Sequence, residues 1–495
     1  MRLLTLISLL SAFTAASVLA QSDPTLTLAQ ILSDKGTISV ADLARVQTAD
    51  QQSRLTTLAS ILQQKGVLNS GDLAKLSIPS GMPPAASAPQ AVAARSEPPP
   101  PSPTTSPTTM ETPVTTKKGL PVSLYGTLLL TMGSNDAVFN YEDVPMIASK
   151  QGSDPTGGDK NFYGTVRQSR LGMTLNPVDT LGGKLSGVFE FDMMGGQAPY
   201  PNGVGMNLFR MRLAYGRLDW THWSVEAGQD WSIFAPLNPT SLNEYGIPEF
   251  TATGNAWIRT PQIRVEAKTK NASGNNLLWQ VLASDPNMGD ASTTTVTVAR
   301  APGIGERGRM PALESRVAFS KTVDDRAYTI GLSGRYDRGK NAGTIGTLNV
   351  QSPVDSWGAA LDYSLPFSKY VNLTGEAYEG RALGIYSVAS GESIGAVGTV
   401  GAHGVLSRGG WAQLQFNPDK KWQFNLAYGV DQPDDKQIAV GARSRNQQYM
   451  ANVIERLTRN ISASLEYRRI LTDFRNQLPG NERGDHIDLG VAYIF

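Results

Sequence analysis

Trp422-Gln423-Phe424-Asn425-Leu426-Ala427-Tyr428-Gly429-Val430-Asp431 is the stretch that decides the fold. Apolar and aromatic residues take every second position and polar or small residues fill the gaps, the period of a β-strand with two unlike faces. The same alternation recurs along the chain. Phe209, Met211, Leu213 and Tyr215 interleave with Arg210, Arg212, Ala214 and Gly216. Trp357, Ala359, Leu361 and Tyr363 interleave with Gly358, Ala360, Asp362 and Ser364, and Ile487, Leu489, Val491, Tyr493 and Phe495 with Asp488, Gly490, Ala492 and Ile494. A soluble sandwich shares this period, so alternation alone does not separate it from a membrane barrel.

Three further features do. Connections alternate in length: Asn176-Pro177-Val178-Asp179, Asp219-Trp220-Thr221-His222 and Asn417-Pro418-Asp419-Lys420 read as short turns, whereas 134–164, 285–311 and 381–409 are long. Trp220, Trp223, Trp422 and Tyr493 fall at strand ends, where an interfacial girdle places its rings. The last strand finishes on Phe495, as the strands of outer-membrane barrels commonly do. The expected fold class is all-β, a transmembrane antiparallel barrel over 119–495. About sixteen strands fit, at roughly 23 residues per strand with its connection. A barrel of that size encloses a water-filled lumen, and an even strand number puts both of its ends on the periplasmic side.

The residues before the barrel fit an exported protein. Met1 and Arg2, the apolar run from Leu3 to Leu19 and the small-residue pattern Val18-Leu19-Ala20 predict a secretory signal peptide over 1–20. No later apolar stretch reaches the roughly 20 residues that a spanning helix needs. There is no cysteine among the 495 residues, so disulfides contribute nothing to stability, and the net charge of +1 gives no bulk signal for nucleic acid. Residues 21–78 read as a small helical segment in the periplasm. Leu28-Ala29-Gln30-Ile31-Leu32 recurs as Leu58-Ala59-Ser60-Ile61-Leu62, Lys35-Gly36 as Lys65-Gly66, and Asp42-Leu43-Ala44 as Asp72-Leu73-Ala74, a period of about 30 residues. Ser39 with Asp42, and Asn69 with Asp72, supply an N-cap and a first-turn acid, while Leu55, Leu58, Ile61 and Leu62 share one helical face. Two such units bury little, which predicts self-association or docking. Residues 79–118, rich in Pro, Thr and Ser, are a linker that cannot build a core.

One loop of the barrel stands apart. Residues 231–256 follow the fifth strand and carry Trp231, Ile233, Phe234, Leu237, Leu242, Tyr245, Ile247 and Phe250. Exposed loops are usually polar, so an apolar one seeks cover. Inside a porin the lumen wall supplies it, which makes Trp231, Phe234, Leu237, Tyr245 and Phe250 candidate constriction residues. Packing against a neighbouring subunit is the alternative. Selectivity must come from inward charges. Arg170, Arg210, Arg212, Arg264, Arg316, Arg335 and Arg468 have inward parity, and so do Glu190, Asp192, Glu226, Asp230, Glu266, Asp362, Glu376 and Glu466. Such arginines either meet solutes or pair with the acids and shape the wall. For Arg210 and Arg212, two on one strand, the solute-facing role is the expectation.

Enzyme readings are thin. His222, His403 and His486 stand in no pattern that reads as a triad. Gly303-Ile304-Gly305-Glu306-Arg307-Gly308 matches a dinucleotide fingerprint but has no βαβ unit around it. No catalytic residue, cofactor or metal is expected. A TonB-dependent receptor needs a larger barrel and a folded plug. An outer-membrane hydrolase and a tether to the cell wall through 25–78 are the other function classes weighed.

Several motifs, in order, also carry a resemblance. Gly228-Gln229-Asp230-Trp231-Ser232-Ile233-Phe234 enters the apolar loop and Gly254-Asn255-Ala256-Trp257-Ile258-Arg259-Thr260-Pro261-Gln262-Ile263-Arg264 leaves it. Gly375-Glu376-Ala377-Tyr378-Glu379-Gly380-Arg381-Ala382-Leu383-Gly384 and Leu465-Glu466-Tyr467-Arg468 follow. Across most of 119–495 the chain resembles the DcaP-like outer-membrane porins, relatives of the phosphate-selective porins O and P. The resemblance implies a homotrimer of sixteen-stranded barrels in the outer membrane, a periplasmic N-terminal extension, and passage of small polar solutes with a preference for anions such as dicarboxylates. The two repeat units and proline linker depart from the single coiled coil expected of that family, which leaves the role of the extension open.

Overall fold

The computed structural model describes residues 24–34, 37–49, 54–65, 113–115, 121–149, 160–199, 205–270, 275–289, 302–345, 348–388, 392–395, 401–476 and 481–495. The expected signal peptide, most of the linker, and Asn69 and Asp72 of the second repeat unit lie outside them. The chain divides into two compact units, Met1–Ser87 and Ala88–Phe495.

In the first unit the repeat is visible as structure. Helices α1 (Pro24–Asp34) and α3 (Arg54–Gln64) occupy equivalent stretches of the two repeat units, with α2 (Val40–Thr48) between them. Ser39 caps α2 as expected: its hydroxyl accepts the Asp42 N–H at 3.2 Å, and its own N–H donates to the Asp42 carboxylate at 3.0 Å. Leu58, Ile61 and Leu62 of α3 pack with Ala29, Leu32, Ile38, Leu43 and Val46 in one small core. Lys65 closes on Asp42 at 3.1 Å. No helix among the described residues is long and apolar enough to cross a membrane.

The second unit is a closed barrel of sixteen antiparallel strands. In chain order they are β1 (Pro121–Asn135), β2 (Arg170–Thr180), β3 (Gly183–Asp192), β4 (Arg210–Asp219), β5 (Trp223–Trp231), β6 (Arg259–Lys270), β7 (Asn275–Ser284) and β8 (Ala312–Val323). Then come β9 (Arg326–Ile345), β10 (Leu348–Leu365), β11 (Val371–Arg381), β12 (Leu406–Phe416), β13 (Trp422–Pro433), β14 (Arg443–Arg456), β15 (Ile461–Phe474) and β16 (Asn481–Ile494). Each pairs with the next, and β1 pairs with β16 from Thr127↔Ile494 to Asn135↔His486. Closure satisfies the backbone without an exposed edge, the condition for strands to cross hydrocarbon. The short strand Asn161–Thr165 extends the ladder on β1 beyond β2. Pro113–Thr115, assigned to the linker by composition, also pairs with the start of β1, so the ordered barrel begins earlier than the alternation shows.

The distribution of polarity is that of a protein turned inside out. Leu128, Leu130, Ile263, Val265, Phe424, Leu426, Leu489 and Val491 are exposed, while their strand neighbours Thr131, Arg264, Asn425 and Asp488 are buried. A water-soluble protein does the reverse. An apolar outer face with an ionic interior is stable only where lipid covers the outside. Aromatic pairs sit at the short-turn rim: Trp220 stacks on Trp223 at 3.8 Å, Trp422 on Phe424 at 6.2 Å and Tyr493 on Phe495 at 6.0 Å. Toward the other rim, Tyr336 of β9 lies beside Trp357 of β10.

Two expectations need correction, and both fail at β-bulges. Asn176-Pro177 is not a turn. The register shifts between Leu175 and Val178 inside β2, where a proline lacking an N–H fits a bulge, and the turn comes later at Leu181-Gly182, with φ of 49° and 72°. In β4 the outward parity expected for Phe209, Met211, Leu213 and Tyr215 holds only as far as Met211. Glu190 faces Leu213 and Phe191 faces Met211, so Arg212 is an extra residue. One extra residue reverses every side chain beyond it. Leu213 is therefore buried and Arg217 turns to the inside, where it meets Glu226 and Glu266.

Candidate functional site

The loop after β5, 232–258, folds into the barrel and follows its inner wall. Its backbone and short polar side chains meet inward groups strand by strand. The Ser232 hydroxyl donates to Glu314 of β8 at 2.7 Å, and the Leu237 N–H donates to Glu376 of β11. The Thr240 N–H donates to Gln413 of β12 at 2.8 Å, and Asn452 of β14 donates to the Thr240 carbonyl at 3.1 Å. Ser241 donates to Glu466 of β15 at 2.6 Å and Asn243 to Asp488 of β16 at 2.8 Å. Past the closing seam, Gln168 donates to the Asn243 carbonyl at 2.7 Å, Arg170 of β2 to the Tyr245 carbonyl at 2.7 Å, and Arg210 of β4 to the Gly246 carbonyl at 2.8 Å.

The apolar side chains of the loop find the cover their composition called for. Phe234 stacks on Tyr386 at 4.7 Å and Phe250 on Trp411 at 6.3 Å, while Leu237 packs beside Phe250. Trp231 meets Trp257 edge-on at 6.3 Å, and Tyr245 lies 3.8 Å beneath the Arg170 guanidinium. Two other connections share the lumen. Val144 and Met146 of 136–149 pack with Trp231, Ile247 and Trp257, and Leu383 and Tyr386 of 382–388 pack with Phe234. Tyr386 accepts the Trp257 N–H on its carbonyl at 3.0 Å. The sequence reading singled out one inward loop where the structure brings three together. The missed two carry the same signal in short form, Val144-Pro145-Met146-Ile147-Ala148 and Ala382-Leu383-Gly384-Ile385-Tyr386.

All seven expected arginines turn inward, and each has an acidic partner. Arg210 forms two bonds to Asp192, at 3.0 and 2.5 Å, and Arg212 reaches Glu190 at 2.5 Å and Asp192 at 3.1 Å. Arg170 is 3.6 Å from Glu190. Arg264 joins Glu226 at 2.6 Å, Asp230 at 2.8 Å and Glu266 at 3.2 Å. Arg316 grips Asp362 with bonds of 2.9 and 2.7 Å, and Arg335 lies 3.1 Å from Asp337 and 3.5 Å from Glu314. Arg468 stands among Glu244, Glu249, Glu466 and Asp488. The solute-facing expectation for Arg210 and Arg212 meets a physical limit. The Arg210 side chain is 14 % exposed and that of Arg212 only 1 %, both behind the Gly246 carbonyl. Arg259, missed because no strand pattern preceded it, adds a guanidinium 4.5 Å from the Trp231 ring that Arg212 also faces.

No family model and no curated protein matches the chain by sequence. Solved structures do match. The outer membrane channel DcaP of Acinetobacter baumannii superposes with a TM-score of 0.56 over 77% of this chain and 99% of that one, at 18% identity. Salmonella typhi OmpF, in complex with daunomycin, gives 0.47 over 77% and 100% at 12% identity. The anion-selective porin from Comamonas acidovorans gives 0.44 over 76% and 99% at 14% identity. The fold is that of an outer-membrane porin. The match to DcaP bears out, at the level of fold, the resemblance read from the sequence motifs.

The three histidines of this porin barrel lie on separate elements. His222 is in the turn between β4 and β5, His403 is exposed in a short ribbon, and His486 is buried on β16, with Nδ1 2.6 Å from Asn135 and Nε2 3.3 Å from Asp488. His486 has no role that the sequence alone assigns. Its signal was its place two residues before Asp488 on an alternating strand. Arg167, held by Asp143 of the 136–149 loop, also went unread because it falls in the break between Thr165 and Arg170.

Proposed function

We propose that the protein is an outer-membrane porin through which small polar solutes pass by diffusion, with a preference for anions such as dicarboxylates. The observation that carries this reading is the charged interior behind an inward loop. Within it, Arg170, Arg210, Arg212 and Arg259 gather round Glu190 and Asp192 on and beside β2 to β4, leaving guanidiniums in excess of carboxylates there. Buried arginines do not touch the solute. They set a field that low-dielectric walls focus into the lumen, which raises the local anion concentration. The 232–258 loop is the constriction, and the pore lies between it and the remaining wall. Planar-bilayer recording of the purified protein tests the reading. Discrete channels with a reversal potential on the anion side support it. Discrete channels with a cation-side potential defeat the anion preference, and an absence of channels defeats the porin.

The assembly is a homotrimer, with the helical unit on the periplasmic side joined through the proline-rich linker. Deleting 21–118 is expected to leave a heat-modifiable, conducting oligomer. The strand ladder from β1 to β16 closes on itself without the three-residue pairing of Pro113–Thr115 that the deletion removes, and linkers of this composition otherwise pass few contacts. Unheated and boiled samples should then migrate differently on a detergent gel, as in the full chain. Loss of the unheated oligomer band on deletion would make the helices an assembly element.

A further inference from the structure

The charge balance differs sharply round the wall. Where the 232–258 loop crosses β15 and β16, the acids are in excess. Glu244 and Glu249 come from the loop, Glu466 from β15 and Asp488 from β16, and the guanidinium among them is Arg468. All five side chains are at most 2 % exposed. The other elements packed here add little positive charge. β14 contributes neutral Gln448 and Asn452, the strand Asn161–Thr165 contributes Tyr163, and the 136–149 loop contributes Asp143, already held by Arg167. His486 lies against Asp488 and, even protonated, offsets a single carboxylate.

Several carboxylates facing one guanidinium cannot all stay ionised out of water. Hydrogen bonding shows where the missing proton belongs. Asp488 accepts from Asn243 at 2.8 Å and from Tyr163 at 3.1 Å. Glu466 accepts on one oxygen, from Ser241 at 2.6 Å and Asn452 at 2.8 Å, and its other oxygen has no hydrogen-bond donor. Glu249 accepts from Gln448 on one oxygen, and its other oxygen likewise has no donor. The same two oxygens converge on one guanidinium, with Arg468 3.5 Å from Glu466 and 4.0 Å from Glu249, which sets the two carboxyls side by side. A proton shared by the two carboxyls supplies the donor that neither has as a carboxylate, and joins a loop residue to a wall residue.

We propose that Glu249 and Glu466 share a proton that fastens the 232–258 loop to the wall, and that release of this proton as pH rises frees the loop and widens the channel. The inference rests on the reading of that loop as the constriction. Burial, with Glu466 and Asp488 facing it, pushes the Glu249 carboxyl well above the ordinary glutamate range. The docked loop binds a proton that an undocked, solvated loop gives up, so docking holds at low pH and weakens as pH rises through the raised value.

Single-channel conductance of the full-length wild type, Glu249→Gln and Glu466→Gln tests the latch. Wild-type conductance should rise on the order of twofold between about pH 6 and about pH 9. Each glutamine, whose amide donates permanently in place of the proton, should hold the acid-side value across that range. A conducting wild type with a flat profile, or glutamine variants that keep the full pH response, overturns the latch and leaves the porin standing. So does a rise caused at fixed pH by chelating Mg2+, which would mean that a metal ion neutralises the cluster. An absence of channels in the wild type at every pH overturns the porin reading and the latch with it.

Discussion

Channels carrying Arg210→Gln and Arg212→Gln together should lose their anion preference, with the reversal potential moving toward the cation side and dicarboxylate flux slowed. Both guanidiniums point inward next to exposed Phe209 and Met211, and both bear on Glu190 and Asp192. Removing them leaves Arg170 and Arg259 against the two carboxylates, so the local excess of positive charge disappears. The opposing consideration is structural. Breaking a buried ion pair from one side costs about 3–5 kcal/mol when the remaining charge is stranded. Here it is not stranded. Glu190 keeps Arg170 at 3.6 Å and the Tyr125 hydroxyl at 2.9 Å, and Asp192 keeps the Met194 N–H at 3.0 Å. Glutamine can also donate in place of guanidinium. The double variant should therefore still run as a heat-modifiable oligomer. Glu190→Gln with Asp192→Asn is the converse and should deepen the anion preference. If the double arginine variant keeps wild-type selectivity, these residues only hold the wall in shape.

The largest change in conductance is expected from deleting the middle of 235–253. That segment stands between the inner faces of β11, β12, β14, β15, β16 and β2, and a sixteen-stranded wall without it encloses an open aqueous channel, so conductance should rise on the order of a few-fold. The wall groups it leaves, Glu376, Gln413 and Glu466 among them, then face water and are solvated, while the backbone ladder that forms the barrel is untouched. A deletion that retains wild-type conductance would show that the ion path runs elsewhere, with 136–149 and 382–388 as its walls.

How much of this was legible in the residues follows from which forces are local. Lipid outside and water inside impose a two-residue period on every strand, so Trp357 to Tyr363 and Trp422 to Val430 could be placed correctly from alternation. Aromatic rims and the alternation of short and long connections settled the membrane. The misplacements come from single insertions. Nothing in Arg210-Met211-Arg212-Leu213 shows that Arg212 is an extra residue, because the bulge is defined against Glu190 and Phe191 of the neighbouring strand. Pro177 did mark an irregularity, and it was read as a turn because a proline serves both. Pairing with the acids was one of two roles open to the arginines, and the choice between them was out of reach for a related reason. Parity gives the face a side chain points to, but whether Arg212 meets solute or Glu190 depends on depth along adjacent strands and on a loop folded over it.

The path of the 232–258 loop also bears on how the wall closes. Most neighbouring strands are joined by a turn or a loop and can pair as hairpins form, but β1 and β16 meet only when residues such as Thr127 and Ile494 come together from the first and last strands of the barrel. Joining distant segments is the slow step in forming a sheet. The loop spans that seam from within, bonding to Asp488 on one side and Arg170 on the other. A loop already lying inside as the last strands approach offers hydrogen-bond partners to both of them. It then serves as an internal clasp, drawing together the two strands whose meeting completes the wall.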